Sequence, residues 1–173
     1  MAKRILFTFF CSANLLLNAQ NLVLNPSFEQ TTATACGGLF GMEDLSQVVN
    51  WNQAITPGSN SDSCSTADFF SACNPSIALS VPANPIGNQY AHSGTRYVGI
   101  ITQELGSNWR EYVQGQLSSP LVAGQSYCVS IYVSLGDNSS IGTNNFGIYF
   151  SDTMYHRNPC TVPSGSLIPF TPQ

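Results

Sequence analysis

Between Ser126 and Leu135 apolar and polar residues alternate without a break. Tyr127, Val129, Ile131, Val133 and Leu135 share one face of an extended chain; Ser126, Cys128, Ser130, Tyr132 and Ser134 share the other. Successive side chains of extended backbone point to opposite sides, so this pattern predicts a strand with one buried face. Val122-Ala123-Gly124-Gln125 supplies a turn before it, and Gly136-Asp137-Asn138 supplies one after it. The stretch reads as a central strand of an all-β sandwich, with the Tyr127 to Leu135 set building the core.

The same reading applied along the chain gives several short strands and no helical period. Asn21 to Glu29 opens as a strand closed by Pro26, and Gln47 to Trp51 forms a second. Gln30 to Leu45 and Thr56 to Pro75 have the composition of loops, the latter carrying the aromatic patch Asp68-Phe69-Phe70. Ser76 to Pro85 reads as an edge strand, because prolines cannot donate to a ladder. Arg96 to Thr102, Arg110 to Leu117 and Asn145 to Ser151 complete the set. Short strands at regular spacing indicate an antiparallel β-sandwich or jelly roll.

The first nineteen residues stand apart. Lys3-Arg4, a mostly apolar run from Ile5 to Leu17 and the small-residue site Leu17-Asn18-Ala19 have the form of a secretory signal peptide. That run, interrupted by Ser12 and Asn14, is too short for a good membrane span, so no transmembrane segment is expected after cleavage. The expected organisation is a signal peptide over 1–19, a β-sandwich domain over 20–155 and a loop or tail over 156–173.

Past residue 19 there is no lysine, and three arginines face nine acidic residues, a formal charge of −6. A basic surface for phosphates is missing, which argues against nucleic acid as a partner. Lysine Schiff-base chemistry is excluded in that part. Five cysteines remain there: Cys36, Cys64, Cys73, Cys128 and Cys160. In an exported chain they read as disulfides, and their spacing fits no zinc site. Spacing does not settle their pairing.

With the strands in place, the sequence resembles carbohydrate-binding-module jelly rolls of the galactose-binding type. The likeness rests on Asn21-Leu22-Val23-Leu24-Asn25-Pro26-Ser27-Phe28-Glu29, on Ala91-His92-Ser93-Gly94-Thr95-Arg96-Tyr97 and on Pro120 to Leu135. It is also similar to exported N-terminal domains in surface proteins of gliding Gram-negative bacteria. Many of those are OmpA-family outer-membrane proteins, and others carry a C-terminal sorting domain. This likeness takes in Asp68 to Cys73, Glu111 to Gln114 and Ile148 to Ser151, and covers roughly residues 21–152. The resemblance implies further strands after this point, so the sandwich is expected to lack its last strands. It also implies a structural calcium held by Glu29 with the backbone around Ser93 and Gly94, since hard oxygens suit that ion. It favours a disulfide between Cys36 and Cys73, with Cys64 to Cys73 as the local alternative.

The strand faces opposite the core suggest a ligand platform made by Tyr112, Gln114, Tyr132 and Tyr149. Flat aromatics flanked by amides and hydroxyls can hold a neutral glycan, unless a second sheet covers them. Catalysis is not expected: the chain has no Gly-x-Ser-x-Gly, His-Glu-x-x-His or P-loop. The carboxylates of Asp68, Glu104 and Glu111 have no spacing that makes them converge. The function that follows is a non-catalytic binding or adhesion module at the cell surface or outer membrane, for a neutral glycan or a cell-envelope component. The alternative is a structural spacer with no ligand.

Overall fold

A computed structural model of the chain describes residues 20–32, 45–54, 67–103, 110–143 and 146–155. The expected signal peptide over 1–19, the expected loop or tail over 156–173, and Cys36, Cys64, Glu104 and Cys160 lie outside the described residues. Among those described the structure is all-β, with two single-turn 3-10 helices and three two-stranded antiparallel sheets. No helix among them is long and apolar enough to cross a membrane.

The first sheet pairs β1 (Trp51–Gln53) with β6 (Val113–Gly115), Asn52 lying opposite Gln114. The N-terminal stretch runs alongside it. Leu24 N–H donates to the Gln116 carbonyl at 2.9 Å, and Ser118 N–H to that of Leu22 at 2.8 Å. Gly115 is required here: a Cβ would come within 2.8 Å of the Trp51 ring. Asn25 ties the N-terminal motif to that ring. It sits in the left-handed region at φ 49, which asparagine tolerates better than most residues. Its side chain donates to the Gln30 and Val49 carbonyls and accepts from Gln30 N–H, while its own carbonyl accepts from Trp51 Nε1 at 2.9 Å. Phe28 then packs on Trp51 with ring centroids 4.7 Å apart. The opening motif is therefore a bridge and a knotted turn rather than a strand.

The second sheet pairs β2 (Asp68–Ser71) with β5 (Arg96–Gly99), with Phe69 opposite Val98 and Phe70 opposite Tyr97. Phe69 and Phe70 are both buried, and Phe69 joins Leu45, Val48 and Ala67 in the core, flanked by Trp51, Val98, Ile100 and Val113. Composition had placed this segment in a loop. Its apolar run is too short to show a period, and its strand character comes from a partner 29 residues on, Phe69 facing Val98.

The expected edge strand over Ser76 to Pro85 splits in two. Ser76 caps a 3-10 turn, Ile77–Leu79, its Oγ accepting from Ala78 N–H at 3.3 Å. The short hairpin β3 (Ala83–Asn84) and β4 (Gly87–Asn88) follows, after a cis Val81-Pro82 bond. Asn84 Nδ2 reaches across to donate to Tyr97 Oη at 2.8 Å, while the Tyr97 ring stacks on Phe70 at 4.9 Å. Burial raises the Tyr97 phenol above its ordinary 10.0, against the opposing effect of the Asn84 hydrogen bond. An acid whose folded pKa is raised contributes stability that is complete below the unfolded value and lost as pH climbs through the folded one. Urea unfolding between pH 8 and 11 should therefore show stability falling above about pH 10. Tyr97→Phe should flatten that fall.

The expected central strand needs correcting. Residues 126–135 join no ladder and make no hydrogen bond to other backbone among the described residues. The face expected in the core is open: Ile131 is 55% exposed and Val133 67%. Of the expected strand Asn145 to Ser151, Asn145 lies outside the described residues, and 146–151 are not part of any strand among them. Alternation shows that a segment can bury one face, but it does not supply the neighbour. Among the described residues β1 pairs with β6, β2 with β5 and β3 with β4, and no strand is left to cover this face.

Candidate functional site

Two places bring distant polar residues together. The first joins the opening motif to the turn before β5. Glu29 Oε1 accepts from Thr95 N–H at 2.7 Å, and Oε2 accepts from Thr95 Oγ1 at 3.2 Å. Arg96 lies on the same carboxylate, Nη1 to Oε2 at 3.7 Å, and donates to the Glu29 carbonyl. Its Nε donates to Ser71 Oγ at 3.3 Å, linking the cluster to β2. Gly94 makes the approach possible. It sits at φ 72, and a Cβ there would collide with Glu29 Oε1.

Glu29 and Gly94 thus meet, as the expected calcium site requires, and Ser93 is exposed in the same turn. The donor chemistry is another matter. Each carboxylate oxygen and the main-chain oxygen of Glu29 accepts a hydrogen bond from an N–H or O–H donor, one of them a guanidinium. Arranged this way, they serve the turn, and the guanidinium beside them opposes a hard cation, which wants several oxygens and no neighbouring positive charge. Among the described residues no three His, Cys, Asp or Glu side chains group around a common point. Substituting Gly94→Ala puts a side chain in the left-handed region and pushes Glu29 off Thr95. We expect a loss of about 1–3 kcal/mol, measured by urea unfolding.

The second place is a seam between the turn after β4 and the segment after residue 130. The two run antiparallel: His92 lies against Tyr132, Gln89 against Ser134, Asn88 against Asp137 and Ile86 against Asn138. The His92 and Tyr132 rings stack with centroids 3.4 Å apart and planes 15° apart. Ser134 Oγ donates to Gln89 Oε1 at 2.6 Å, and Asp137 Oδ2 accepts from Asn88 N–H at 2.8 Å. Tyr132 and Ser134, both from the polar face of 126–135, make these contacts, while the apolar set Tyr127 to Leu135 stays exposed.

The four platform residues have different surroundings. Gln114 holds the fold: its Nε2 donates to the Tyr155 carbonyl at 2.9 Å and its Oε1 accepts from Tyr155 N–H at 3.1 Å. Tyr112 is half-buried beside β6, its carbonyl accepting from Ala54 N–H at 3.3 Å. Tyr149 is exposed, and Tyr132 belongs to the seam. Strand alternation pointed to Tyr132 but not to His92 or Gln89, which come from a turn 40 or more residues before their partners. Arg96 was likewise silent in the sequence, because its partners are Glu29 and Ser71.

Cys73 is disulfide-bonded, its partner lying outside the described residues, and Cys128 is free and exposed. Glu111 is buried and acts on the backbone: its carboxylate accepts from Ile101 N–H at 2.7 Å. No family model, curated protein or solved structure matches the chain.

Proposed function

We propose that the chain is a non-catalytic binding or adhesion module of an exported bacterial surface protein. The observation that carries this reading is the open face of 126–135. It offers uncharged, alternating backbone whose N–H and C=O groups make no hydrogen bond to other backbone among the described residues, beside a row of exposed Val, Ile, Tyr and Leu side chains. Protein edges are normally protected by lysine, proline or a covering element. This one has no charged residue from Pro120 to Gly136, so it is suited to accept another strand. The jelly-roll arrangement belongs to the same proposal, with further strands or a cell-envelope partner covering this face. Export is supported by the N-terminal pattern and by the disulfide at Cys73.

The spacer reading has one observation in its favour: Gln114, from the expected ligand platform, is committed to the fold. The two readings part on one experiment. The full chain, produced by export, is mixed with outer-membrane and peptidoglycan fragments of a Gram-negative bacterium, and the bound fraction is compared with that of an Ile131→Lys, Val133→Lys variant. A binding module is retained and loses retention on substitution. A spacer is retained by neither fragment.

A further inference from the structure

We infer that the seam of Tyr90, His92 and Tyr132, flanked by Gln89 and Ser134, is a stacking subsite for a neutral saccharide. This deepens the binding-module reading by naming a ligand class, but it uses a different surface from the apolar face of 126–135. Tyr132 remains 71% exposed although one side of its ring is covered by His92, so its outer face is open to solvent. Tyr90, on the same turn as His92, is 72% exposed. An exposed tyrosine ordinarily has several rotamers to lose on binding; one already stacked at 3.4 Å has fewer. The pair is thus a preorganised slab of the kind that accepts the C–H face of a sugar ring.

The polar flank is preorganised as well. Gln89 Oε1 is fixed by Ser134 Oγ and its Nε2 by the Tyr90 carbonyl at 2.8 Å. The amide still has one N–H and one lone pair to offer, and the serine oxygen keeps its lone pairs, which matches the mixed donor and acceptor character of sugar hydroxyls. Charge selects the class. Neither 85–92 nor 126–138 contains a lysine or arginine, and the one carboxylate there is Asp137. Nothing in the seam beyond the His92 ring could balance a sulfated or uronic acid sugar, and Asp137 disfavours one.

Affinity electrophoresis of the full chain tests this in gels containing hydroxyethyl cellulose, laminarin, galactomannan or arabinoxylan, with alginate and dextran sulfate as anionic comparisons. At least one neutral polysaccharide should retard the chain. Tyr132→Ala should weaken that retardation at least tenfold, with smaller losses for His92→Ala and Tyr90→Ala. All three sites are on the surface, and unchanged thermal melting identifies variants that remain folded. Ile77→Lys, at an exposed side chain outside both the seam and 126–135, should bind the polysaccharide as the parent does. Failure of every neutral polysaccharide, retention unchanged in folded Tyr132→Ala, or stronger retention by alginate or dextran sulfate would each overturn the inference. If saccharide binding fails while envelope binding sensitive to Ile131→Lys persists, this inference falls alone. If saccharide binding persists without envelope binding, the strand-face reading falls alone.

Discussion

Changing Ile131 and Val133 together to lysine should leave the stability of the full chain within about 0.5 kcal/mol per site, because both side chains are mostly in solvent already. The same change should reduce retention on envelope fragments by at least about tenfold. A partner covering this face would have to bury two ammonium groups without counter-charges, at a cost well above the 1.4 kcal/mol that a factor of ten represents. It should also raise the soluble fraction on concentration, since lysines on an open strand block edge-to-edge pairing. Sedimentation at increasing concentration and chemical unfolding read these effects separately. A variant that loses stability and binding together would show that the face is buried in solution and is part of the core.

Phe69→Ala has the opposite signature. Phe69 is fully buried between the two larger sheets' apolar residues, and truncating it leaves a cavity lined by Leu45, Val48, Ala67 and their flanking residues. Such a change costs about 3–5 kcal/mol. Domains of this size hold only about 5–15 kcal/mol in total, so a large share of the chain should unfold at moderate temperature. Near-ultraviolet circular dichroism during a thermal melt reads the loss directly. A shift of only a degree or two would place the core elsewhere than around Leu45, Val48 and Phe69.

The comparison of these two sites shows what the sequence made legible. Strand character was readable where the pattern was long or the residues strongly apolar: β5 lies inside the expected Arg96 to Thr102 stretch and β6 inside Arg110 to Leu117. Antiparallel pairing in an all-β chain followed from turn spacing alone. The core was not legible. Phe69 and Phe70 looked like a loop patch because four residues carry no measurable period, and their burial depends on Val98 and Tyr97 across the sheet. Tyr127 to Leu135 looked like the core because alternation reports which side chains share a face, and says nothing of whether a neighbouring strand is there to cover them.

The candidate sites follow the same physical division. Glu29 could be paired with the Ser93-Gly94 turn through a resemblance, and the two do meet. The arginine that completes the cluster could not be foreseen, because a single cation in a polar stretch has no spacing signature. Tyr132 stood out by its place on an otherwise serine-rich face. Its partner His92 lay in a turn that sequence reasoning treats as punctuation, and the seam exists only because 85–92 and 132–138 happen to run antiparallel. Gln114 illustrates the reverse: an amide well placed for a ligand is instead pinned to the Tyr155 backbone.

Hydrogen exchange resolved to single amides decides whether 126–135 is an open extended segment that a partner closes. In the dilute full chain the amides of residues 127–135 should exchange near the unprotected rate, while those of Phe69, Phe70, Tyr97 and Val98 in the paired sheet exchange slowly. On binding envelope fragments, the 127–135 amides should become protected. Slow exchange of those amides in the dilute chain, or no change on binding, would contradict this reading.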